Sequence, residues 1–222
     1  MKIITSQAQL FDYTDKVIKI YLVTILKKYK KLQNDLTLLK FDEINNSSVI
    51  EMINKTYYEL DIECKKAMRL IAMHSYKQVH DDKGELKDSW LEEYYKTPNP
   101  VTKYEYQAEV DRKRARTLES IIAILLTANP KTTIPKEITT ARNLWVKQFE
   151  QNADNLTTLA TLQAYEDYGI VAMQWNTQED ERVCETCGPL DGQIFTIEKI
   201  KEMMPAHYGC RCFATPVIDT RK

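Results

Sequence analysis

Residues 18–39 read IKIYLVTILKKYKKLQNDLTLL. Within them Ile18, Leu22, Ile25, Tyr29, Leu32, Leu36 and Leu39 recur at steps of 4, 3, 4, 3, 4 and 3. That spacing is the seam of a helix packed along its length against another helix. The same seam returns at Ile53, Tyr57, Leu60, Cys64, Ala67 and Ile71, after Ser47 and Ser48 as expected N-caps. A connection as short as Phe41–Asn46 makes the two helices an antiparallel hairpin.

Outward from the hairpin, the spacing predicts a short helical piece from Trp90 to Lys96, stopped by Thr97-Pro98-Asn99-Pro100. A third long helix is expected from about Tyr104 to Ala128, burying Leu118, Ile121, Ile122 and Leu125. Asn129-Pro130 and Ile134-Pro135 bracket a loop, and a fourth long helix runs from about Lys136 to Tyr168. Trp145, Phe149, Leu156 and Ala160 lie at helical spacing in it, and Gly169 is its left-handed stop.

The chain has 222 residues and 5 glycines, of which only Gly84 precedes Gly169. Its 5 cysteines divide the same way, with Cys184, Cys187, Cys210 and Cys212 close together and Cys64 far upstream. Long helices lose stability at each glycine, whereas tight turns need them. The expectation is therefore a helical domain over 1–168 and a small module over 169–222. The fold class is mainly α, with long antiparallel helices followed by a small α+β zinc-binding C-terminal module. Hydrophobic content of 43% with 28% charged residues excludes a disordered chain. No run is long and apolar enough for a membrane span. The N-terminus lacks the apolar core of a secretory signal, so a reducing compartment is expected, where clustered cysteines read as metal ligands.

Cys184-Glu185-Thr186-Cys187-Gly188 is a metal-knuckle spacing, with the glycine expected at positive φ so that backbone amides face the sulfurs. With nineteen residues between Cys187 and His207, the chain then reads His207-x-x-Cys210 and Cys212, a gap typical of paired zinc half-sites. Five candidate ligands thus compete for one tetrahedral Zn2+. Cys184 and Cys187 form one half; His207 and Cys210 are the favoured other half, with Cys212 left open. Trp175, Leu190, Phe195 and Phe213 are expected in short extended stretches of a small sheet against the metal turn.

Other candidates read as structure. His74 continues the second seam as a core or boundary histidine, and Cys64 is a small buried hydrophobe. Asp180 and Arg182, before the knuckle, read as an ion pair or as a carboxylate accepting turn amides. Lysines 16, 19, 27, 28, 30 and 31 form one basic run and Arg112, Lys113, Arg114 and Arg116 another; a solvated helix face is the expected meaning, with phosphate contact as the rival. There is no Ser/His/Asp arrangement, no phosphate-binding glycine loop and no motif-paired carboxylates, so no catalytic residue is assigned.

Trp175, Thr177, Asp180, Arg182-Val183-Cys184-x-x-Cys187, Leu190-Asp191-Gly192 and Pro205-x-His207-x-x-Cys210-Arg211-Cys212 together resemble the C-terminal signature of the Mu F-type phage head morphogenesis proteins, also called minor head or minor capsid proteins. The resemblance covers about positions 170 to 217. Tyr208 stands where many members have proline, and Leu159-Ala160-Thr161-Leu162 where many have an Arg-Thr-Glu-like element. The resemblance implies a non-enzymatic virion protein, made in the host bacterial cytoplasm and associated with the portal vertex. Its implied partners are portal protein and capsid or scaffold protein, and its implied role is head assembly or genome delivery. The alternative is a zinc-containing nucleic-acid-binding protein that holds DNA on its basic helices.

Overall fold

The structure is a computed structural model that describes residues 1–39, 46–80, 84–127, 129–177 and 184–218. Among them are six α-helices: α1 (Gln7–Leu38), α2 (Asn46–Val79), α3 (Asp88–Lys96), α4 (Tyr106–Leu125), α5 (Pro130–Asp167) and α6 (Ile197–Met203). Three short strands, β1 (Ala172–Asn176), β2 (Ile194–Thr196) and β3 (Phe213–Pro216), form an antiparallel sheet in the order β2-β1-β3. None of the helices is long and apolar enough to cross a membrane. The molecule is thus mainly helical with a small sheet at its C-terminal end.

Both seams are buried where their spacing requires it. Ile25, Tyr29, Leu32 and Leu36 of α1 and all six seam residues of α2 lie in the core, while Leu22 and Leu39 are partly covered. Each such aliphatic side chain contributes about 1.5–3 kcal/mol on burial. Tyr13 stacks on His74 with ring centroids 3.7 Å apart, and Lys28 pairs with Glu59 at 2.9 Å. Early α1 therefore meets late α2, and the hairpin is antiparallel. Its connection at 40–45 lies outside the described residues. Because α2 begins at Asn46, Ser47 and Ser48 occupy its first turn and are not its N-caps.

The central helix is α5, which packs on α1, α2 and α4. It starts at Pro130, six residues earlier than the proline pattern suggested, and carries Pro135 inside it. A proline at the first helical position has no bond to lose. Pro135 forfeits one backbone donor, but Ile134 and Ile138, buried beside it, extend the apolar face that continues to Ala141 and Trp145. That burial outweighs a defect of about 3 kcal/mol. Trp145 donates its indole N–H to Cys64 Sγ at 3.3 Å and meets Tyr57 edge-on. Tyr57 in turn shares a 2.6 Å hydrogen bond with Thr117 of α4. Cys64 is a buried acceptor as well as a hydrophobe, and burial pushes its thiol up to about 12.

On α4 only Ile121 of the four expected core residues is fully buried; Leu118 and Leu125 pack partly. Tyr106, Glu109, Val110 and Thr117 are its other buried positions. Gly169 ends α5 as expected. At φ +80° it donates to the Glu166 carbonyl, and Ile170 donates to the Tyr165 carbonyl, so both last-turn carbonyls are satisfied by a Schellman turn.

Candidate metal centre

Two turns bring the donors together. In the first, the amides of Cys187 and Gly188 both donate to the Cys184 carbonyl, at 3.1 and 3.0 Å. Gly188-Pro189-Leu190 then winds into one 3-10 turn. Two details differ from expectation. Gly188 does not take positive φ, since the 3-10 turn gives it ordinary right-handed backbone, and Leu190 is in that turn and not in a strand. Positive φ falls instead on Gly192, where the chain leaves the first turn, and on Gly209, inside the second. The first turn is tied to the sheet because Asp191 Oδ1 accepts from Thr177 N and Oγ1, at 2.7 and 2.9 Å. Gly192 also donates to the Trp175 carbonyl of β1 at 2.9 Å.

The second turn follows α6, which is anchored by buried Ile197 and Ile200. There Cys210 N donates to the His207 carbonyl at 3.2 Å. His207 Nδ1 lies 2.9 Å from the Tyr208 carbonyl. A proton on Nδ1 serves that contact and leaves the Nε2 lone pair for a ligand role.

Nε2 faces the sulfurs, 3.1 Å from Cys184 Sγ and 3.0 Å from Cys187 Sγ. Cys187 Sγ and Cys210 Sγ are 3.8 Å apart. Tetrahedral zinc with bonds of about 2.3 Å to sulfur has edges of about 3.8 Å. Cys184, Cys187 and His207 form one set with all donor atoms within 4.8 Å of one another, and Cys187, Cys210 and Cys212 form another. All five sequence candidates are therefore in one cluster, with Cys187 common to both sets. The three cysteines of the second set are buried, while Cys184 and His207 are half-buried. A hydrogen bond from Cys212, with backbone amides, holds Cys210 down at about 5. The same bond, together with burial, keeps Cys212 strongly protonated. Burial pushes Cys187 up to about 12. Thiolates with one imidazole suit a soft divalent ion, so the donor chemistry fits Zn2+.

The residue between the last two cysteines does work that spacing did not reveal. Arg211 reaches out of the cluster to Asp15 of α1 and, at 3.4 Å, to Asp154 of α5. Its guanidinium also lies over the Phe11 ring, 4.8 Å from the centroid. Tyr208 supports the same docking, its hydroxyl donating to the Lys147 carbonyl at 3.4 Å. An arginine caught between two candidate ligands was the available signal. Asp180, Arg182 and Val183 lie outside the described residues.

Of the basic runs, Lys16, Lys28, Arg112 and Arg114 are engaged with Asp12, Glu59, Glu109 and Asp111. His74 sits half-buried against Tyr13, and burial lowers its pKa, as suits a boundary histidine.

A family model described as phage Mu protein F like protein matches residues 44–215. No curated protein and no solved structure matches the chain.

Proposed function

The chain belongs to the phage Mu protein F-like family, and on that premise we propose that it is a structural minor head protein acting at the portal vertex in head assembly or genome delivery. In this reading residues 1–168 are a helical body that contacts portal and capsid protein, and residues 169–222 are a zinc-stapled module. The observation that carries it is the span of the family match, which takes in α2 to α5 and every donor of the cluster. The nucleic-acid reading is weaker, because Lys16 and Lys28 of the first basic run and Arg112 and Arg114 of the second are paired with neighbouring carboxylates.

Cys184, Cys187, His207 and Cys210 would hold the ion, and Cys212 would support Cys210 by a sulfur hydrogen bond. The ion supplies a cross-link between two turns and neutralises the thiolates, a contribution of about 10–16 kcal/mol in small zinc-folded peptides. The chain's own residues do the rest: Thr177 and Asp191 fix the first turn to β1, and Arg211 fixes the second to α1 and α5. Mass spectrometry of purified heads tests the assignment. The chain should co-purify with portal protein in fixed ratio, and particles that assemble and infect normally without it would overturn the reading.

A further inference from the structure

The outward face of α1 has no task in the fold. Ile20, Val23 and Leu26 are 66, 51 and 44% exposed, at steps of three along one side of the helix. The opposite side, with Val17, Ile25 and Tyr29, is already buried. Lys27 and Lys30 follow them along the helix, are exposed, and among the described residues make no ion pair or hydrogen bond. Asp12, the exposed acid of this helix, is taken by Lys16 at 2.6 Å. The face is therefore aliphatic over its first two turns and uncompensated positive at Lys27 and Lys30 beyond them, while Lys19 borders a cavity that Asp15, Glu150 and Asp154 also line. The face also lies outside the shared part of the chain, since α1 ends at Leu38 and the family match begins at residue 44.

We propose that this face docks an acidic segment of a partner protein, one that sets carboxylates at one end of a row of apolar side chains. Aliphatic side chains at helical spacing are how a helix seats against a protein groove or second helix. The lysines select the sign of the partner and speed encounter, and the aliphatic side chains hold the complex. A nucleic-acid backbone would use the lysines but would gain nothing from Ile20, Val23 and Leu26. The inference stands on α1 alone and goes beyond placement in a head.

Selection of short random peptides against the full-length protein tests it, with two double variants as comparators, Ile20→Ser/Val23→Ser and Lys27→Glu/Lys30→Glu. All four positions are exposed, and circular dichroism confirms that each variant folds. Enriched peptides should carry Asp or Glu at one end of a row of apolar residues at helical spacing. Their affinity should fall by about tenfold or more for each variant. Peptides with Glu changed to Lys should bind the Lys27→Glu/Lys30→Glu variant in preference to the wild type. Enriched peptides that bind all three proteins equally would overturn the proposal. So would duplex DNA or phosphatidylserine vesicles that bind wild type and lose binding only with the lysine changes.

Discussion

Both donor sets share Cys187, so its loss removes a corner from each. Cys187→Ser should leave the purified protein with little bound zinc, against about one ion per chain for wild type. Cys212→Ser should keep the ion, because the proposed set of Cys184, Cys187, His207 and Cys210 is complete without it. Equal zinc loss in both variants would put Cys212 among the ligands. Asp154 gives a pH prediction at the same scale. Burial raises its carboxyl to about 6, against the pull of Arg211. The folded state then binds a proton that the unfolded chain releases near pH 4, so this contribution is full below about pH 4 and is lost as pH rises through about 6. Asp154→Asn removes that slope. Relative to wild type, the variant should gain stability between about pH 4.5 and about pH 7 in urea unfolding; a difference that does not change with pH would contradict the assignment. The cysteines and histidine were legible in the sequence because metal ligation needs fixed residue types at short spacing. Asp15 and Asp154 were not, since the partners of Arg211 lie far off in sequence and are joined only by packing.

At the scale of elements, seam spacing read the helices well where the seam was long. The hairpin and its core followed from periodicity because burial along a whole face leaves a repeating mark. The start of α5 did not, because the proline rule is local while Ile134 and Ile138 are held by other helices. The turn at Gly188 was misread for a related reason: a knuckle allows several backbone forms, and Pro189 favours the 3-10 one. The left-handed stop at Gly169 carries the element-scale prediction. A β-carbon there would meet nothing within 4 Å, so the cost of Gly169→Ala is backbone strain alone. The variant should be destabilised by about 1–2 kcal/mol in urea unfolding, with zinc content unchanged. A neutral result would mean that the end of α5 relaxes into another turn.

For the whole molecule, the question is what the ion holds together. The core of α1 to α5 is built from residues that owe nothing to the cluster, such as Ile53, Leu60, Ile71 and Trp145. If the sheet and α6 are a module of their own, as proposed, a unit of that size rarely stabilises itself without a staple. Arg211 joins the two at a point set by Cys210 and Cys212. Removing metal with a chelator should therefore unfold the module first and undock it from α1 and α5. The expected signature is cleavage by a protease C-terminal to α5 at neutral pH, while far-ultraviolet circular dichroism keeps most of its helical signal. Amide exchange near Asp15 should rise, since its arginine partner leaves, whereas α2 should stay protected. Re-addition of Zn2+ should restore protection in the module and near Asp15 together. If chelation instead melts all helices in one transition, the cluster is a keystone of a single cooperative fold and the proposed division at residue 168 is wrong. If it changes nothing, the five side chains form a packed sulfur cluster that needs no ion.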